Sequence, residues 1–167
     1  PIALADGRIL LMVRTPTGRL WALWSEDDGK TFSDPEPTAL VHPDAPPMLF
    51  TLSDGKTLAA FHHNRFHDTD YTGLSGGKEA IMRDRSEIWV AFSSDGGESW
   101  SEPRFVFANA TAPDRENPFY NHACSYIDAV RTGETWHLFV PHRWQQIVHL
   151  TVAEQDLLAL PTEEELG

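Results

Sequence analysis

Three short stretches concentrate the residues able to do chemistry: "HHNRFHDTDY" (His62 to Tyr71), "TAPDRENPFYNHACSY" (Thr111 to Tyr126) and "PHRWQQ" (Pro141 to Gln146). Arg65 and Arg143 carry guanidinium forks, whose parallel N–H groups match the two oxygens of a carboxylate. Together they can clamp an acidic ligand, with His62, Asn64 and Asp68 as polar contacts around Arg65. The competing role for Arg65 is an ion pair with Asp68 or Asp70 across its own loop. His63 and His142 can serve as neutral hydrogen-bond partners or bases toward a sugar hydroxyl. The middle stretch adds Arg115, Glu116, Tyr120, His122 and Tyr126, with Glu116 the carboxylate available as a base. Trp144 can stack on a sugar ring or pack between sheets, and the second role is at least as common for tryptophan in a β-rich chain. No cofactor and no metal are expected. His62, His63 and His67 look like zinc ligands, but adjacent residues in a strand point to opposite faces, so His62 and His63 do not easily share one ion.

The elements that must position these residues are strands. "ILLMVRT", "LWALWS", "TLAAFHHN", "EIWVAFS", "CSYIDAV" and "TWHLFVPHR" are short runs rich in branched and aromatic residues, separated by turns such as "ADGR", "SDGK" and "RTGE". Such spacing predicts antiparallel hairpins. Helical periodicity is weak until "AEQDLLALPTEEELG", which predicts a short terminal helix or turn. The fold class is all-β.

The order of strand, turn, strand and polar box occurs twice. "SEDDGKTFSDPEP" (Ser25 to Pro37) and "SSDGGESWSEP" (Ser93 to Pro103) share Ser-x-Asp-x-Gly-x, a hydroxyl residue, an aromatic, a Ser and a Pro. In such a box the carboxylate can accept from nearby backbone N–H groups, and the glycine permits a positive φ. Its closing aromatic, Phe32 or Trp100, can tuck between sheets. The repeat gives three units, at about residues 1–46, 47–122 and 123–167, with a period of roughly 45 residues once a long insertion is discounted. Units of this kind suggest propeller blades, and three cannot close a ring. The chain is therefore read as the C-terminal half of a larger propeller; a small β-sandwich is the alternative.

The two boxes, Ser25–Phe32 and Ser93–Trp100, resemble the Asp-box of the sialidase (neuraminidase) superfamily of BNR repeat proteins. "LSDGKTLAAFHHNR" and "SYIDAVRTGETWHLFVPHRWQQIVHL" are similar to segments of the same superfamily. The resemblance implies a six-bladed β-propeller of sialidase type, of which this chain covers about three blades, with a glycan-binding centre. It further implies that Arg65 is one member of an arginine triad holding the substrate carboxylate. Tyr126 falls near the family's tyrosine nucleophile, which works with an activating glutamate rather than a carboxylate pair. The sequence departs from the pattern at "PPMLFTL", where the family places that glutamate and this chain has no acid. A secreted or periplasmic location is also implied by the resemblance.

Strand alternation separates these features. If the DG turns and the boxes share one end of the sheets, the chemistry-bearing loops share the other. The boxes then position the sheets, and the site lies opposite them.

Composition narrows the partners. The 167 residues carry a net charge of −12, which repels phosphate and argues against nucleic acid or an anionic membrane as the main partner. No apolar run approaches the length of a membrane span. The single cysteine, Cys124, cannot form an internal disulfide. Uncovered blade faces would favour self-association or contact with further blades. Three readings of function follow. The first is a sialidase-like glycoside hydrolase acting on terminal acidic sugars. The second is a propeller polysaccharide lyase on uronic-acid glycans, with histidine and tyrosine as base and acid and arginine neutralising the carboxylate. The third is a non-catalytic glycan-binding propeller.

Overall fold

The computed structural model describes residues 1–65, 85–108, 124, 126–142 and 146–167. Three antiparallel sheets follow one another along the chain. The first holds β1 (Ile2–Ala3), β2 (Ile9–Val13), β3 (Arg19–Ser25) and β4 (Glu36–Val41), in sequence order. The second holds β5 (Met48–Thr51), β6 (Leu58–His62), β7 (Glu87–Ser93) and β8 (Arg104–Ala108), again in order. The third has three strands, β9 (Asp128–Thr132), β10 (Thr135–His142) and β11 (Gln146–Ala153). Two four-residue helices close the chain, α1 (Glu154–Leu157) and α2 (Glu163–Leu166). The all-β expectation and the terminal helical turns are borne out.

The middle sheet is covered on both faces, and β6 shows why its sequence is apolar throughout. Leu58 and Ala60 point into a core shared with Leu10, Met12, Leu20, Ala22 and Leu40 of the first sheet. Ala59 and Phe61 point the other way, into a core shared with Ala129, Trp136, Leu138 and Val140 of the third. The partner strand repeats the pattern, because Ala60 pairs with Ala91 and Phe61 with Val90. Two alanines opposite one another leave room for the first sheet's leucines, while the larger pair fills the other interface. A strand buried on both faces cannot alternate apolar and polar residues.

Register fixes which loops lie together. Leu58 pairs with Ser93 at one end of β6, and His62 pairs with Trp89 at the other. The turn Ser53–Lys56 and the second box therefore share an end, while the chain leaving His62 and the chain entering Glu87 share the opposite one. In the first sheet Ile9 pairs with Ser25, which places the β1–β2 turn beside the first box.

Both boxes close on themselves. The Asp27 carboxylate accepts from the Thr31 N–H at 2.8 Å, the Thr31 hydroxyl at 2.7 Å and the Ser25 hydroxyl at 2.9 Å. The Asp95 carboxylate accepts from the Ser99 N–H at 3.0 Å, the Ser99 hydroxyl at 2.5 Å and the Ser93 hydroxyl at 2.7 Å.

The second box also ties two sheets together. Trp24 of β3 donates to the Gly96 carbonyl at 2.9 Å, and Arg8 reaches Glu98 at 3.1 Å. Gly97 has φ +91°, and a Cβ there would stand 2.6 Å from Leu10 Cδ2. Trp100 packs against the core between the first and second sheets. Phe32, its counterpart in the first box, does not tuck into an interface and is 38% exposed. That differs from the expectation for the first box: among the described residues the first sheet packs on the middle one, and Phe32 lies outside that contact.

A comparable clamp joins the second and third sheets. Glu154 accepts from the Ser53 N–H at 3.1 Å, from the Ser53 hydroxyl and from Trp136 Nε1 at 3.0 Å.

Candidate functional site

The end of the sheets opposite the boxes gathers polar side chains from all three. After His62, β6 ends and the chain turns, with Asn64 in the left-handed region at φ 45°. The turn brings both histidines to His42, which follows β4. The His42 ring centre lies 6.1 Å from that of His62 and 5.4 Å from that of His63. All three rings are buried. Alternation along β6 separates the two side chains, yet a third histidine from the neighbouring sheet reaches both.

The hydrogen bonds define protonation. His42 Nδ1 accepts from the His63 N–H at 3.3 Å, so its proton sits on Nε2 and is donated to the Ala45 carbonyl. His63 donates from Nδ1 to the Glu87 carbonyl at 2.7 Å, which leaves the lone pair on Nε2. His62 Nδ1 lies 3.2 Å from both the Val41 carbonyl and the Asn64 N–H, and its buried Nε2 meets no partner among the described residues. Burial, with the neighbouring His63 and His62 rings adding to it, holds His42 well below the usual imidazole range. Burial likewise lowers His62 to about 3. His42 and His62 are therefore neutral at physiological pH. No group of three histidine, cysteine or acidic residues suited to a metal occurs among the described residues.

Arg65 is engaged by carboxylates. Its Nη2 lies 2.6 Å from Glu87, and its Nη1 lies 3.7 Å from Glu163 of α2. Glu87 also accepts from Trp89 Nε1 at 2.8 Å, so both of its oxygens are committed. One carboxylate bound to Arg65 is thus that of Glu87, the first residue of β7.

Arg85, which the sequence reading passed over, is placed differently. It is half-buried just before β7, and it donates from Nη2 to the Asp44 carbonyl at 2.6 Å. Its guanidinium carbon stands 5.6 Å from the centre of the Tyr126 ring, within cation–π range. Its Nε is buried and has no hydrogen-bond partner among the described residues. No described carboxylate pairs with it. Cys124 binds the Arg85 carbonyl through both its N–H, at 2.8 Å, and its thiol, at 2.9 Å. The arginine is thereby tied to the segment entering β9, so loops from all three sheets converge on one guanidinium.

Tyr126 is 48% exposed and has φ 66°. A tyrosine in the left-handed region is a strained residue, and such strain concentrates at functional sites. Among the described residues only Asp28, Asn64 and Tyr126 show this conformation without being glycine, and two of the three are candidate site residues.

His142 ends β10 at the same end of the third sheet, where its Nδ1 lies 3.0 Å from Gln146 Nε2 and its ring meets the edge of Phe107 at 6.4 Å. Its neighbours are therefore on β11 of its own sheet and on β8, the last strand of the middle sheet. Arg143, Trp144, Arg115, Glu116, Tyr120, His122 and Asp68 lie outside the described residues, as do His67 and Asp70. What sequence reasoning missed is Arg85 and Glu87. The available signal was their position, a charged pair flanking Ser86 immediately before a strand buried on both faces.

No curated protein matches the chain. A solved structure described as "NanB plus Optactamide" is similar, with a TM-score of 0.44 and 18% identity over 92% of this chain and 23% of that one. The chain thus spans less than a quarter of the length of that structure's chain. The BNR repeat-like domain family matches residues 1–139, which includes both boxes. The repeat resemblance read from the sequence is borne out, and the chain belongs to the BNR repeat-like domain family.

Proposed function

We propose that this chain is part of a sialidase-type β-propeller that binds an acidic sugar at the end of the sheets opposite the boxes. The whole protein, in this reading, is a glycoside hydrolase acting on terminal acidic sugars of glycans. The observation that carries the reading is Arg85. It is a half-buried guanidinium with one backbone carbonyl, an aromatic ring and no described carboxylate around it. Among the described residues no anion meets this group, and a sugar carboxylate supplies one in the planar form that a guanidinium prefers. Tyr126 lies against it as the residue nearest a bound acidic sugar, in the role the family gives its nucleophile. Arg65, already paired with Glu87, serves to hold the turn after β6 in place.

A second reading has its own observation. His63 is fixed as the tautomer with its lone pair on Nε2, the form a proton-abstracting base requires. With Arg85 neutralising a uronate carboxylate, that arrangement suits a lyase. Product analysis separates the two. Incubation with a sialylated and a uronate-bearing glycan should release a free saturated acidic sugar. An unsaturated, ultraviolet-absorbing uronate would replace the hydrolase reading with the lyase, and neither product, with binding retained, would leave a glycan-binding protein.

A further inference from the structure

The loop from His42 to Pro47 joins the first sheet to the second, and one side chain decides its shape. Pro43, Pro46 and Pro47 have no N–H to donate, so half of the loop cannot be anchored through backbone donors. His42 anchors it instead, fully buried between the two sheets. Its backbone N–H donates to the Gly18 carbonyl at 3.0 Å, in the turn before β3. Its ring accepts the His63 N–H on Nδ1 at 3.3 Å and donates from Nε2 to the Ala45 carbonyl. Ala45, also fully buried, donates its own N–H to the Pro43 carbonyl at 2.7 Å. That i to i+2 bond makes a tight bend with Asp44 at its centre.

Asp44 then serves two arginines with different groups. Its carboxylate lies 3.4 Å from Arg14 Nε on the first sheet, at the surface. Its carbonyl accepts from Arg85 Nη2 at 2.6 Å. The bend thus holds the Arg85 guanidinium without neutralising it, because a carbonyl carries no net charge and the carboxylate of the same residue is taken up by Arg14.

We propose that His42 is a positioning residue for Arg85, setting the guanidinium through Ala45 and Asp44 in the orientation that receives an acidic sugar; this rests on Arg85 being the anchor of the sugar carboxylate. A neutral imidazole suits the task, since it accepts on one nitrogen and donates from the other. The Nδ1 bond fixes the ring to the backbone of the second sheet, and the Nε2 bond carries that position into the loop. Arg85 enters from the segment before β7 of the same second sheet, so the ring and the guanidinium it sets share one frame. A guanidinium fork must meet both oxygens of a carboxylate, and a displacement of about 1 Å is enough to spoil such a fit.

Two substitutions separate the two bonds of the ring. His42→Gln places an amide near the imidazole Nε2, keeping the donor to Ala45 and giving up the acceptor for the His63 N–H. His42→Asn is shorter, keeping the acceptor and giving up the donor. Each loses one buried hydrogen bond, so both should lower Tm. Only His42→Asn should weaken an acidic sugar, by about tenfold in calorimetric titration. A neutral analogue should bind both variants as it binds wild type, and the loss should vanish in a protein that already carries Arg85→Ala. His42→Leu, which lacks both bonds and keeps an apolar filling, should behave as His42→Asn does and replaces it if that variant does not fold. A second readout needs no sugar: the NMR signal of the Arg85 Nε–H, identified by its absence in Arg85→Lys, should move in His42→Asn and stay in place in His42→Gln. Equal losses of affinity in the two variants overturn the positioning role, as does an unmoved Arg85 signal in His42→Asn. Unchanged acidic-sugar affinity in His42→Asn, where Arg85→Ala weakens it, overturns the role as well. If Arg85→Ala itself binds the acidic sugar as wild type does, the sugar assignment of Arg85 falls, and the Arg85 signal alone decides whether His42 positions it.

Discussion

Arg85 and Tyr126 face one another across the boundary between the second and third sheets, with the guanidinium carbon 5.6 Å from the ring centre. The contrast with Arg65 lies in the partners. Arg65 has Glu87 at 2.6 Å, whereas Arg85 has the Asp44 carbonyl and an unpartnered buried Nε. An arginine already holding a carboxylate has little to gain from a second, while a half-buried guanidinium without one gains a charge-assisted pair.

Replacement of Arg85 by Ala should therefore weaken binding of an acidic sugar roughly ten- to hundredfold, the loss of a charge-assisted contact of about 1.5–3 kcal/mol. Lysine should recover little of it, because an ammonium lacks the planar fork. A neutral analogue of the same sugar should bind wild type and variant alike. Arg65→Ala should act chiefly on stability, leaving Glu87 with Trp89 as its remaining partner. Titration of both sugars against both variants checks this, and an Arg65 effect on affinity as large as that of Arg85 would reverse the assignment.

The buried histidines predict acid sensitivity. His62 is lowered to about 3, and His42 well below 6.5, principally by burial. A histidine whose folded pKa is depressed contributes full stability above the unfolded value, and loses it as pH falls below that value because the unfolded chain takes up the proton. The slope is about 1.4 kcal/mol per pH unit for such a ring, so about 2 kcal/mol is lost at His62 between neutrality and pH 5, with His42 adding in the same direction. Denaturant midpoints measured at pH 7.5, 6 and 5 should fall accordingly. His62→Leu, which removes an Nε2 that has no partner, should flatten the profile.

The second box should titrate at lower pH. Burial opposes the Asp95 charge, but hydrogen bonds from the Ser99 hydroxyl and N–H and from Ser93 outweigh it and lower the carboxyl to about 2. That stabilisation is complete above the ordinary aspartate value and disappears as pH falls through about 2. Asp95→Asn should therefore be less stable than wild type at pH 6, and the difference should shrink between pH 4 and 2. Affinity for acidic sugar should not change, since the box lies at the far end of the sheet.

Gly97 reports on how tightly the first two sheets meet. Alanine there must hold φ +91° and place its Cβ 2.6 Å from Leu10 Cδ2, a fully buried side chain. Overpacking of this kind costs about 1–3 kcal/mol, with the left-handed backbone adding to it. A lowered Tm for Gly97→Ala is the expected result. Gly55→Ala, where a Cβ meets nothing within 4 Å, should lose only the backbone part.

Local sequence determined much of the architecture. Short apolar runs between DG and TG turns specified the strands, because a two-residue side-chain period and glycine-dependent turns are properties of neighbouring residues. The box residues Ser25, Asp27, Ser93 and Asp95 were legible for the same reason: their hydrogen bonds span four residues at most. Placement of the boxes and the loops at opposite ends followed from strand alternation alone. Tertiary structure decided the partners. Phe32 and Trp100 occupy equivalent box positions, yet Phe32 is exposed while Trp100 packs on the core between the first and second sheets. His42 reaches His62 and His63 from 20 and 21 residues away, and Arg65 takes Glu87 from across a strand pair. Which of two arginines keeps a guanidinium without a carboxylate depends on the packing of three sheets. Contacts of that range are set by how the sheets dock, which no local pattern encodes.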